Sequence, residues 1–162
     1  MDEQSLHDRV AELEAELAEV SDTTRTIHRI LRELRRAVPY DSASVQELRD
    51  SRLVIIAGVG FADTDVILGE SFDVDNADSP NGEVVHRRRP LIVADTDQYR
   101  AFRRGLHVGA GIRSWLGIPL IDRDRLVGML ALDKQEADFY TLEHARIAMA
   151  FAALLAAVMC RD

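Results

Sequence analysis

Cysteine, lysine and tryptophan occur once each in this chain, at Cys160, Lys134 and Trp115. A single thiol excludes a disulfide framework and any zinc site built on several cysteines, and it fits a reducing compartment. The opening Met-Asp-Glu-Gln is acidic and has no apolar stretch of the kind a secretory signal needs. The longest uncharged run, Ile147 to Cys160, falls short of the roughly 18 residues that span a bilayer, so it reads as a buried core helix. Together these absences predict a cytoplasmic protein with no membrane partner.

Positive charge is in deficit. The net charge of −8 argues against nucleic acid as a partner. The deficit is concentrated at the start, where Asp2, Glu3, Asp8, Glu12, Glu14, Glu16 and Glu19 face only Arg9. Arginines then cluster at 25, 29, 32, 35 and 36, and again at 87–89; the excess of arginine over lysine is read as compositional bias. Hydrophobic residues make up 47% of the 162, enough to build the core of one domain plus an extra element.

The strongest periodic signal lies in the first forty residues. Leu6, Val10, Leu13, Leu17, Val20, Thr24, Ile27, Leu31, Leu34 and Val38 follow a 4-3-4-3 spacing, the seam of a heptad helix. The spacing predicts a long N-terminal coiled-coil helix, ended by Pro39, with residues 1–22 forming a signalling rod and 23–162 the globular domain. Leu6, Val10, Leu13, Leu17, Val20, Ile27 and Leu31 are the expected homodimer interface.

Beyond Pro39, Ser42–Leu48 and Leu53–Val59 read as a hairpin. Residues 61–79 hold five aspartates and no clean period. Ser79-Pro80 opens a short helix that Pro90 closes, since serine caps and proline tolerates the first helical position. Leu91–Val93 is a brief strand, and residues 95–111 a connection with a short helix near Tyr99–Arg104. Ile112–Ile121 and Leu126–Asp133 form a second hairpin, and Thr141 caps a helix over Leu142–Met159. This order predicts an α+β fold, an antiparallel sheet flanked by helices.

The run Gly111-Ile-Arg-Ser-Trp-Leu-Gly-Ile-Pro-Leu-Ile-Asp resembles a GAF domain, as do Leu126-Val-Gly-Met-Leu-Ala-Leu-Asp-Lys and the stretch from Phe139-Tyr-Thr-Leu-Glu-His. Upstream, Val38-Pro-Tyr-Asp-Ser-Ala-Ser-Val and Asn81-Gly-Glu-Val-Val-His-Arg-Arg-Arg-Pro-Leu-Ile-Val-Ala-Asp match in the expected order. The resemblance implies a five- to six-stranded antiparallel sheet whose first and last helices share one face. It also implies a small-molecule pocket beneath the middle loops, in a dimeric signal-transduction protein. The alternative reading is a ligand-free dimerisation and relay domain.

Where cyclic-nucleotide binders of the family carry Asn-Lys, Phe and Asp-Glu, this chain has Asp133-Lys134, Phe139 and Glu143-His144, which disfavours such a ligand. Without a cysteine before position 160, a covalent bilin is not expected, nor is the thiol turnover of the family's methionine sulfoxide reductases. No enzyme activity and no metal site are therefore expected. His107 is the one histidine placed to meet haem, and haem is not expected either.

The expected ligand-binding residues are Tyr99, Phe102, Arg113, Ser114, Trp115 and Leu116. Arg113 opens its strand as a bidentate donor to an anion. Trp115 is either core or an aromatic wall. Strand alternation puts Arg113 and Trp115 on one face, Ser114 and Leu116 on the other, and leaves open which face meets the pocket.

Overall fold

The computed structural model describes residues 1–18, 22–99, 102 and 111–161. Six strands form one antiparallel sheet: β1 (Ser42–Arg49), β2 (Arg52–Val59), β3 (Ser71–Asp73), β4 (Leu91–Val93), β5 (Ser114–Asp122) and β6 (Arg125–Lys134), in the order β3-β2-β1-β6-β5-β4. The β5–β6 turn puts Arg123 and Asp124 at positive φ, the twist that a two-residue hairpin turn requires. A bulge at Val45/Gln46 lets Val45 face Ala57 while Gln46 faces Ile55. In the segment that the sequence left unread, β3 and a one-turn helix, α3 (Thr64–Ile67), supply the edge next to β2. Ahead of the helix expected near Tyr99 lies a 3₁₀ turn at Thr96–Gln98; Arg100, Arg103 and Arg104 fall outside the described residues.

One sheet face is covered by helices. Ala43, Val45, Leu116, Ile118, Leu120, Leu130 and Leu132 join a continuous core with α2 (Thr23–Ala37) and α5 (Leu142–Met159). The two helices lie side by side there, as their apolar faces require. Thr141 starts α5 reciprocally with His144, each meeting the other's backbone N–H. Among the described residues α5 is the one helix long and apolar enough to cross a membrane, yet half of that stretch is buried inside the domain.

The N-terminal heptads fold differently from expectation. There is no continuous coiled-coil rod: α1 (Glu3–Leu17) and α2 are separate helices. Asp22 explains the break, since its backbone is extended and its carboxylate accepts from the Arg25 N–H, starting a new helix. α1 then lies against α5 and buries Leu6, Leu13 and Leu17, with Val10 partly buried. Burying each leucine contributes about 1.5–3 kcal/mol, less the cost of ordering the helix. Arg9 reaches Glu33 at 2.6 Å and Arg29 reaches Glu16 at 2.8 Å across the helix pair. The residues expected to meet a second copy are thus satisfied within one chain, Ile27 and Leu31 included; Val20 lies outside the described residues.

The other sheet face is covered by α4 (Pro80–Arg87), by the approach to it and by Tyr99, Phe102 and Ile112 of the connection after β4. Its core is smaller: Leu53, Val74, Val84, Val93, Ile112, Trp115, Met129 and Ala131, with Tyr99 and Phe102 at its margin. Ser79 caps α4 and Arg88 ends it in the left-handed conformation. His86 bonds the Val74 carbonyl at 2.8 Å, which fixes the helix to the segment before it.

Candidate functional site

The loop-covered face carries polar residues where a central strand has no solvent. Along β1, Ala43 and Val45 point into the helical core, so alternation sends Ser42, Ser44 and Gln46 to the loop side. All three are buried, Ser44 at 2% and Gln46 at 3% exposure. The Gln46 amide donates to Ser44 Oγ at 3.0 Å, while its Oε1 is buried with no partner among the described residues. Turning the amide over only exchanges which terminal atom is unpaired. Leaving such a group unmatched costs about 1–3 kcal/mol.

Cross-strand pairing places these residues in neighbouring rows on the loop-covered face. Trp115, Asp133 and Ser42 form one row across β5, β6 and β1, and their side chains share a face. Two residues along, Gly117, Ala131, Ser44 and Gly58 form a row of small side chains across four strands. The next row holds Met129 and Gln46. A Cβ on Gly117 would overlap the Trp115 ring, so this glycine lets the indole lie down along the sheet. At the far end Ile67 closes over Gly58. Ala131 and Ser44 stand between the row of Trp115, Asp133 and Ser42 and the row of Met129 and Gln46.

Asp133 is the most perturbed acid of the face. Its Oδ2 accepts from Ser42 Oγ at 2.7 Å. Burial pushes the carboxyl up to about 7; the Ser42 hydrogen bond opposes that shift and nearby Asp41 adds to it. Near neutrality the carboxyl therefore exists in both charge states. Tyr99, at the margin, is raised by burial and by Glu83, whose carboxylate engages its hydroxyl.

The residues singled out in the sequence divide between the faces. Trp115 is 4% exposed on the loop face, with Phe102 meeting it edge-on at 6.0 Å between ring centres. Leu116 belongs to the helical core, away from the loop-covered face. Ser114 shares that direction, and its hydroxyl donates to the Glu136 carbonyl at 2.7 Å. Arg113 meets Asp95 at 3.2 Å and Asp97 at 3.4 Å, so its charge is matched inside the chain and it is no free anion receptor. His107 lies outside the described residues, among which no three metal-ligating side chains come together. Clefts of about 230 and 350 Å³ lie along α1 and α2, the first lined by the ion-paired Arg9, Glu16, Arg29 and Glu33. Ser42, Ser44 and Gln46 were missed in the sequence, and Asp133 was weighed there only against the cyclic-nucleotide signature. The signal was the strict polar alternation of Ser-Ala-Ser-Val-Gln, which passes for a solvent face.

The family model described as GAF domain matches residues 22–159. The chain belongs to the GAF-domain family. The GAF domain of a phosphoenolpyruvate-protein phosphotransferase from Coxiella burnetii is similar with a TM-score of 0.81 at 20% identity, over 98% of this chain and 95% of that one. Free methionine-R-sulfoxide reductase from Neisseria meningitidis, solved in complex with its substrate, gives 0.75 at 16% identity, over 98% and 90%. The GAF-B domain of DevS from Mycobacterium smegmatis gives 0.65 at 19%, over 85% and 92%. At such identities the likeness is one of fold. No curated protein sequence matches the chain.

In this GAF domain, the positions compared above with the cyclic-nucleotide signature make structural contacts. Lys134 sits 4.6 Å from the centre of the Phe139 ring and 3.4 Å from Asp41. His144 stacks on Phe139 and caps α5, while Glu143 pairs with Arg146. Cys160 ends α5 with its Sγ 3.6 Å from Arg125, at the opposite end of β6 from Asp133.

Proposed function

We propose that this GAF domain is a regulatory module that binds a small molecule on the loop-covered sheet face and carries no catalysis of its own. The observation behind the reading is the buried Gln46 Oε1 without a partner among the described residues, in a column with Ser42 and Ser44. A purely structural central strand is more stable with apolar residues at all three positions. Holding unsatisfied polar groups there makes sense where a ligand completes them. The lone thiol, at the far end of β6, gives a redox turnover at this face no nucleophile.

Output would travel through the helices. Ser42 and Ser44 alternate on β1 with Ala43 and Val45, which belong to the core shared with α2. A ligand that shifts this strand biases the helix pair, and through α1 any copy or domain attached to it. A ligand-free relay domain is the second reading, favoured by the edge-on Phe102–Trp115 contact that fills part of the face.

Native mass spectrometry after incubation with a metabolite extract separates them. A retained adduct of defined mass, lost in Gln46→Leu while the fold persists, is expected. A wild-type protein that carries no adduct from any fraction leaves the relay reading.

A further inference from the structure

We infer that the outer face of α2 is a docking surface for an acidic polypeptide segment of another protein, whose carboxylates meet Arg25, Arg29 and Arg32. The surface is written into the sequence of the helix. Arg25, His28, Arg29 and Arg32 recur at i, i+3, i+4 and i+7, so they share one face, and Arg36 continues it one turn further. Ile27, Ile30, Leu31 and Leu34 take the opposite face into the core. From Arg25 to Arg36 the stripe spans about 16 Å at the rise of an α-helix.

The stripe borders an open cleft of about 350 Å³ between α2 and the end of α1. Arg25, His28, Arg29 and Arg32 line it, and Leu17 adds an apolar side. The chain itself shows how a carboxylate is received there. Glu16, which also lines the cleft, binds Arg29 at 2.8 Å. Glu33, the one carboxylate within α2, lies 3.5 Å from Arg29 and 3.7 Å from Arg36. Arg25 and Arg32 line the same cleft and are exposed to solvent. Arg25 with Arg29, and Arg32 with Arg36, are like charges at i and i+4, which weaken a helix until anions come between them. Glu33 serves the Arg29–Arg36 end, so carboxylates from outside add most beside Arg25 and Arg32.

The shape and charge of the surroundings choose among anions. A free phosphate engages two or three neighbouring donors, whereas a stripe of about 16 Å offers a guanidinium to successive carboxylates of a chain. A nucleic-acid backbone would run along a groove that also carries Glu12 and Glu16, on a chain of net charge −8. A polypeptide brings carboxylates together with apolar side chains, and the latter suit Leu17 and the arginine stems. This surface lies on the helical side of the domain, so the small-molecule reading of the loop face stands or falls separately.

The test is fluorescence anisotropy with a labelled helical peptide of about 14 residues, its glutamates spaced at i, i+3, i+4 and i+7 and its other face carrying leucines. The same peptide with glutamine for every glutamate, an oligothymidylate of similar length and inorganic phosphate are the comparison probes. Saturable binding of the glutamate peptide is expected, weakening at least about tenfold between low and high salt. Arg25→Gln with Arg32→Gln should weaken it about tenfold, while Arg89→Gln, beyond α4, should leave it unchanged. Both positions are exposed and glutamine suits a helix, so the fold should persist, as thermal unfolding checks; Arg25→Gln alone serves if the pair does not fold. Equal binding of the glutamine peptide, tighter binding of the oligothymidylate or phosphate, or an unaffected double variant would overturn the inference. Absence of peptide binding would do so as well. A wild type that self-associates and turns monomeric in the double variant would assign the surface to a second copy and overturn it too.

Discussion

The helical face of the sheet presents Ala43, Val45, Leu116, Ile118, Leu130 and Leu132 to α2 and α5, whereas the loop face presents Ser42, Ser44, Gln46 and Asp133 from two of the same strands. Both sets are almost fully buried. On the first, every side chain gains from leaving water. On the second, polar groups are desolvated and at least one atom goes unmatched. The two faces are equally buried, but only the loop face sets buried polar side chains among its apolar ones.

Substitutions on each face should therefore move stability in opposite directions. The largest loss is expected from Leu116→Ala, which opens a cavity in the helical core and should cost about 2–5 kcal/mol in urea unfolding. A loss well under 1 kcal/mol would mean that this face is not the anchor of the fold.

Asp133→Asn should do the reverse at alkaline pH. Burial raises the folded carboxyl from 3.8 to about 7, so its ionisation costs nothing below about pH 4, and the destabilisation accumulates from pH 4 to 7 and is complete above 7. Above pH 8 the asparagine variant should be the more stable by up to about 4 kcal/mol, and near pH 4 the two should converge. Thermal unfolding at both pH values checks the sign; a wild type that is the more stable at pH 8 would mean the carboxylate has a partner that offsets its burial.

Gln46→Leu removes the unpaired amide and should stabilise by about 1 kcal/mol while impairing ligand capture. Loss of stability instead would show the glutamine to be a structural hydrogen-bonding residue. The ion pair between Arg9 and Glu33 is half exposed on the arginine side, so Arg9→Gln should change stability by no more than about 1 kcal/mol, measured at low and high salt.

The same contrast explains what could be read from the sequence. The helix pair was legible because the seam Ile27–Leu31–Leu34 states its burial outright, whereas Leu116, with apolar neighbours on both faces of its strand, was expected at the ligand and lies in the helical core. The hairpin at Asp122–Arg125 and the caps Ser79 and Thr141 announced element ends through local chemistry. Ser42, Ser44 and Gln46 carry no such sign, since alternation alone cannot tell a polar face under a loop from one under water. The heptad seam misled in another way. Its spacing is real, but spacing does not say whether Leu13 meets a second copy or the chain's own α5. Asp22 decided the matter locally by capping a new helix, and Asp-Thr-Thr was the available clue.

The two outer strands, β3 and β4, are only three residues each. Each offers an incoming chain very few free backbone groups, and a strand that short is a poor template for continuing the sheet. Pro119, on β5 past the end of its pairing with β4, brings no N–H to offer at all. Edge-to-edge polymerisation, the standing hazard of an antiparallel sheet, is thus closed off on both flanks. Neighbouring molecules are left to approach this domain through helices and loops, the surfaces on which encounters can be made and undone.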